Sequence, residues 1–169
     1  MKQTLSVMVV NQTGILARVA GLFSRRGFNI ESLSVSTTED KNISRMTIVV
    51  DGDESTIEQV VKQLHKLVEV IKINNLTGTS YVDRGMALFK VAAGASERAE
   101  VLQVVTIFRA NIVDFCPNSL IIEATGSESK IAAIEEALRP FGIKEVVRTG
   151  EIAMARGTKA ANKKGGDAK

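Results

Sequence analysis

The 169-residue sequence has one cysteine, one histidine, two prolines, only 4% aromatic residues and no long apolar run. Each shortage excludes something. Cys116 has no second cysteine to pair with, so no internal disulfide forms, which fits a reducing compartment and points to the cytoplasm. No stretch approaches the ~20 apolar residues that a bilayer-spanning helix needs, and no membrane partner is expected. The chain enters an alternating strand directly at Met1, which reads as the absence of a signal peptide. Few aromatics leave little for nucleic-acid bases to stack on. His65 lies between Lys62 and Lys66, off the apolar stripe of its helix, and reads as a surface residue rather than a catalytic base. Cys116, beside Pro117 and with no histidine nearby, reads as a buried or turn cysteine and not a nucleophile. A phosphate loop, metal-ligand spacing and a Ser/His/Asp set are all missing. Asp51, Asp53 and Glu54 gather oxygens, but capping of the next helix explains them more simply than a cation does.

What is present is an ordinary globular balance, 44% hydrophobic and 24% charged. The formal charge of +3 is unevenly placed. Residues 153–169 hold five Lys/Arg and one acid, a net of +4, so residues 1–152 sum to about −1. The basicity therefore belongs to a Gly/Ala/Lys-rich tail, expected to be disordered and solubilising, and not to a folded nucleic-acid surface.

The periodicity predicts an α+β chain. Thr4 to Val10 alternates, with Leu5, Val7 and Val9 on one face. Asn11 to Gly14 is a turn. Ile15 to Arg26 repeats apolar residues at helical spacing and stops at Gly27. Two strands, from Asn29 to Thr37 and from Arg45 to Asp51, flank a polar hairpin loop. A helix capped by Asp53 or Ser55 carries Ile57, Val60, Val61, Leu64, Leu67 and Val68 on its stripe, and a strand from Val70 to Asn74 follows. This βαββαβ order is the ferredoxin-like arrangement: strands one and three central, antiparallel sheet, both helices on one face. The pattern recurs from Met86 to Arg148, with a turn at Pro117-Asn118 and a helix cap at Ser127. The expected organisation is a first domain over 1–78, a linker over 79–83, a second ferredoxin-like domain over 84–152 and the basic tail over 153–169.

The Asn11–Gly14 turn carries the most recognition chemistry. A free amino acid presents a carboxylate and an ammonium about one bond apart. An uncapped helix start offers unpaired N–H groups and a positive dipole end to the carboxylate. Gly14 lets a ligand approach those amides closely. Asn11 and Asn29 offer amide oxygens to the ammonium. Leu16, Ala17, Ile30 and Val35 supply walls for a small aliphatic side chain. Such a pocket separates valine, leucine and isoleucine poorly, because one methylene is worth only about 1–3 kcal/mol. The plainer reading is an ordinary turn, with Asn11 as a capping residue and Asn29 following Gly27 in a left-handed stop.

Asn11-Gln12-Thr13-Gly14-Ile15-Leu16, heading a βαββαβ unit, resembles the signature of ACT domains, which bind amino acids and regulate metabolic enzymes. That family often has Asp at the position of Asn11. Arg25 to Val35 (RRGFNIESLSV), Ser44-Arg45-Met46-Thr47 and Gln63-Leu64-His65-Lys66-Leu67 together resemble the small regulatory subunits of acetohydroxyacid (acetolactate) synthase, across residues 2–157.

The resemblance implies a non-catalytic subunit in branched-chain amino-acid biosynthesis that activates a catalytic large subunit and confers feedback inhibition by valine. It implies no cofactor on this chain, with thiamine diphosphate, Mg and FAD on the partner. It implies a homodimer through the first domain, with the ligand held between one chain's turn and the neighbouring chain, and Asn11, Gly14, Ile15 and Asn29 as contacts. The second domain, with Ala92-Ala93-Gly94-Ala95-Ser96 in place of Asn-x-x-Gly, is expected to lack an equivalent site. Competing readings are an amino-acid sensor for a different enzyme, an RNA-binding module and a small enzyme on the same fold. Ser6, Met8, Thr47 and Val49 occupy the positions where an RNA-binding domain needs aromatics, and the first turn has no anion-binding arginine.

Overall fold

The computed structural model describes residues 1–157. Its elements are β1 (Lys2–Val10), α1 (Ile15–Arg25), β2 (Ile30–Thr37), β3 (Ile43–Asp51), α2 (Glu54–Leu64), β4 (Val70–Asn75), β5 (Tyr81–Ala92), α3 (Arg98–Phe108), β6 (Asn111–Cys116), β7 (Ser119–Gly126), α4 (Glu128–Leu138), a 3₁₀ turn over Arg139–Phe141, β8 (Ile143–Arg148) and β9 (Ile152–Ala155). The chain divides into two compact units. One is formed by 1–82 with the described residues from Ala153, and the other by 83–152. Each carries the βαββαβ order and an antiparallel sheet, so the fold is a tandem of ferredoxin-like domains.

In the first unit the strand order is β2-β3-β1-β4. Leu5 pairs with Ile48 and Val7 with Met46, so alternation places Leu5, Val7, Val9, Met46, Ile48 and Val50 on one face. That face receives Ile15, Val19, Leu22 and Phe23 of α1 and Ile57, Val60 and Leu64 of α2, forming one core. Helix α1 ends because Gly27 adopts φ +70°, with the Phe28 amide bonded to the Phe23 carbonyl and the Gly27 amide to Ser24. Helix α2 starts at Asp53, whose carboxylate accepts from the Thr56 amide at 2.8 Å and the Ser55 hydroxyl at 2.9 Å.

Unit two repeats the plan with order β6-β7-β5-β8 and a core of Phe89, Val91, Leu120, Ile122, Ile134 and Leu138, among others. Ser127 caps α4 through the Lys130 amide.

Three boundaries differ from the sequence expectation. Helix α2 stops at Leu64, so Leu67 and Val68 are not on its stripe, and Val68 is 95% exposed. The expected 79–83 linker is partly strand, since β5 begins at Tyr81. Residues 153–155, expected in the tail, form β9 with Ile152, and β9 pairs with β5. The remainder of the expected tail, 158–169, lies outside the described residues.

Two outcomes follow from packing and capping. Phe23→Ala, which empties a fully buried aromatic position, is expected to destabilise the first unit by about 3–5 kcal/mol in urea unfolding followed by circular dichroism. The Asp53 carboxyl is lowered from 3.8 to about 2, chiefly by donation from Thr56 and then from Ser55. Its folded value lies below its unfolded one, so its contribution is complete above 3.8 and is lost as pH falls toward about 2. Asp53→Asn should flatten that part of the stability–pH profile, measured by thermal melts from pH 5 to pH 2.

Candidate functional site

Helix α1 begins without a cap. Gly14 occupies the N-cap position at φ +86°, no side chain bonds the first amides, and the first turn holds no acid. The Arg18 amide makes the first helical bond, to the Gly14 carbonyl at 3.0 Å, so the amides of Leu16 and Ala17 precede the ladder. Helices α2 and α4 differ: Asp53 and Ser127 cap them, and Glu54 and Glu128 stand in their first turns. A side chain at position 14 would meet nothing within 4 Å, so glycine is required there by φ and not by crowding.

Asn11 is held in place by the β2–β3 hairpin. Its amide donates to Asn42 O at 2.7 Å, and its Nδ2 donates to Lys41 O at 2.8 Å. With Nδ2 committed, Oδ1 remains as an acceptor beside the helix start. The hairpin is braced by Asp40 Oδ1, which accepts from the Asn42 amide and Nδ2 at 2.9 and 3.0 Å. On the other side of β1, Glu69 receives the Val10 amide on its carbonyl at 2.8 Å, and its Oε1 receives Gln12 Nε2 at 3.1 Å and the Arg18 guanidinium.

The remaining expected residues divide. Leu16 and Ala17 are exposed in the first turn of α1. Ile15 is in the core at 6% exposure, so it can offer a ligand only its backbone. Val35 is 39% exposed and pairs with Met46. Asn29 and Ile30 are not beside Asn11 in the same chain, which corrects the picture of a turn that gathers both asparagines. Ile30 pairs with Val50, which pairs with Gln3, whereas Val10, the residue before Asn11, pairs with Ile43. Gln3 and Val10 are seven steps apart on β1, about 24 Å at ~3.4 Å per residue. The reason is elementary: α1 returns the chain antiparallel to β1, so the loops before and after it sit at opposite ends of the sheet. Asn29 Nδ2 is bonded to Glu31 Oε1 at 3.0 Å.

The corresponding helix start in the second unit has no side-chain cap either, but it carries acids. Glu97 stands at the N-cap position of α3, its Oε2 accepting from the Gly94 amide ahead of the helix at 3.2 Å, and Glu100 stands in the first turn. Sequence reasoning missed the Gly94–Glu97 bond, although the two residues are close in sequence. It also missed the Gln12–Glu69–Arg18 cluster, whose members are far apart in sequence.

The alternative chemistries fare poorly. The Cys116 Sγ donates to Asp114 Oδ2 at 3.5 Å, and that carboxylate pushes the thiol up, away from the nucleophilic form. Asp51 is taken by the N-terminal ammonium at 2.8 Å and Asp53 by α2. Ser6, Thr47 and Val49, on the sheet face away from the helices, are only 5%, 3% and 3% exposed, and no aromatic stands among them. No helix among the described residues is long and apolar enough to cross a membrane.

The arrangement of a bare helix start after the first strand of a tandem ferredoxin-like chain is that of an ACT-domain protein. Residues 5–72 match the AHAS small subunit-like ACT domain, and residues 84–157 match the small subunit of acetolactate synthase. The chain belongs to the acetolactate synthase small-subunit family. It is 51% identical over 154 residues to the acetolactate synthase small subunit of Mycobacterium bovis, covering 91% of this chain and 92% of that one. It is also 51% identical over 156 residues to the Aquifex aeolicus acetolactate synthase small subunit, covering 92% and 81%. The crystal structure of the Thermotoga maritima acetolactate synthase small subunit superposes with a TM-score of 0.86 at 42% identity, covering 92% of this chain and 98% of that one.

Proposed function

We propose that the chain is the regulatory subunit of a cytoplasmic acetolactate synthase, that it binds valine at the start of α1, and that occupancy is transmitted to a catalytic large subunit. It performs no catalysis itself. Thiamine diphosphate, Mg and FAD belong to the catalytic partner in this reading. The observation that carries the ligand assignment is the uncapped α1 start at Gly14 beside an Asn11 whose Nδ2 is already committed. The amides of Leu16 and Ala17 suit a carboxylate, and Asn11 Oδ1 suits an ammonium. Family membership supports the enzyme assignment.

The separation of Asn11 from Asn29 supports a site shared between two copies. β2 is an edge strand with one side unpaired among the described residues. If two β2 strands pair antiparallel about a two-fold axis, the Asn29–Ile30 end of one chain comes to the Asn11–Gly14 end of the other. Ile30 of the second copy then adds to the apolar walls begun by Leu16 and Ala17, with Val35 of the first copy lying toward the same end of its sheet. Occupancy favours one arrangement of that dimer, by no more than the ligand's differential affinity for the two arrangements. Glu97 and Glu100 put two carboxylates at the matching helix start of the second unit, which disfavours a ligand carboxylate there, so the expected stoichiometry is one valine per chain.

Two substitutions test the site. Asn11→Ala removes the acceptor. Gly14→Asp places a carboxylate against the ligand's own, and strains φ +86°. Both should abolish valine inhibition of the reconstituted enzyme and leave activation of the catalytic subunit largely intact. Unchanged valine affinity in calorimetry for both variants would refute the assignment. Deleting residues 158–169 should alter neither property in the same assays, and lost activation would make that segment an interaction arm.

A further inference from the structure

Among the described residues, Glu69 is the carboxylate whose side chain bonds the Asn11–Gly14 turn itself, through Gln12 Nε2 at 3.1 Å. An anion there opposes what the turn is proposed to bind. A negative charge bonded to this turn raises the energy of a ligand carboxylate on the helix amides that follow it. Glu69 is also tethered by its backbone, since its carbonyl receives the Val10 amide at 2.8 Å, and its side chain is only 12% exposed. It therefore cannot swing away into solvent. The compensating group is Arg18, one helical turn beyond Gly14, which places its guanidinium on the same Oε1 that Gln12 uses.

We propose that Arg18 is a positioning residue for the carboxylate end of the ligand, acting by neutralising Glu69 and not by touching the ligand. The inference rests on the amino-acid site assigned above and adds its electrostatic setting. Glu69 holds the turn in register with the end of β1. Arg18 cancels the charge that this anchoring brings, so the helix start keeps its positive potential. The guanidinium fits the task because it is weakly hydrated and its planar fork matches a carboxylate. Its 60% exposure keeps it in solvent contact, so the effect is moderate and screened by salt.

A double-mutant cycle in the full-length chain separates this from a structural role. Valine binding is measured by calorimetry at about 20 mM and 500 mM NaCl for wild type, Arg18→Ala, Glu69→Gln and the double variant, with melts confirming folding. Arg18→Ala unmasks Glu69, and the expected loss of affinity is roughly three- to tenfold at low salt, shrinking at high salt. Glu69→Gln in the Arg18→Ala background should restore affinity to within about twofold of wild type, although it removes the second half of the ion pair. A pair that merely braces the fold would show no such rescue, so a double variant as weak as Arg18→Ala overturns the proposal. An unfolded Arg18→Ala is replaced by Arg18→Gln, with the same expected pattern. A wild-type chain that does not bind valine overturns the ligand assignment and this inference with it. Wild-type binding without rescue overturns this inference alone.

Discussion

The β1–β3 ladder is the constraint on which the first unit depends. Nine consecutive residue pairs, from Lys2 with Asp51 to Val10 with Ile43, lock the register without a slip. A one-residue shift would turn Leu5, Val7, Met46 and Ile48 away from both helices, so burial and hydrogen bonding enforce the same pairing. The ladder also fixes where loops emerge. Val10 ends level with the β2–β3 hairpin, which is why Asn11 finds the carbonyls of Lys41 and Asn42. The Asn11–Gly14 turn is thereby held by the β2–β3 hairpin on one side and by Glu69 on the other.

Each unit contains one helix that starts with a side-chain cap and one that starts without. Both place an uncapped helix start after their first strand. At α1, glycine at a positive φ leaves the amides open. At α2 and α4, Asp53 and Ser127 accept from amides of the first turn and supply from within the chain what an outside acceptor would otherwise supply. Stability favours the second solution and recognition the first, since a cap satisfies the helix at the expense of its binding capacity. Bare termini in small domains are thus informative when the neighbouring helices of the same chain are capped.

Much of the fold was legible because its signals are local. Alternation at Leu5, Val7 and Val9, the glycine stop at Gly27 and the caps at Asp53 and Ser127 each involve residues a few positions apart. The candidate turn was legible for the same reason. The placement of Asn29 was not, because closeness in sequence across an 11-residue helix is distance in space. Reading the crossover as a reversal would have separated the two asparagines beforehand. The end of α2 was misread because Leu67 and Val68 continue an apolar spacing that the helix itself abandons at Leu64. β9 was missed because Ala153 and Ala155 have weak strand preference, and only pairing with β5 makes them a strand. The Glu69 cluster joins residues 51 and 57 positions apart, a range at which no spacing rule operates.

The residues around β9 have a consequence for biosynthesis. The first unit is not a continuous stretch of chain: it includes the described residues from Ala153 as well as 1–82. On a ribosome, the Asn11–Gly14 turn, both helices and the whole four-stranded sheet of this unit emerge early, yet its β9 residues appear only after the second unit has been made. The first unit can fold as a sheet and two helices while translation continues, because its core is complete by Ile73. The bonds from Arg156 to Ser80 and Tyr81 must wait until the second unit has been made. Making residues 152–156 is therefore what fastens the start of β5, so a chain that stopped before them would hold a complete first sheet with the start of β5 unfastened.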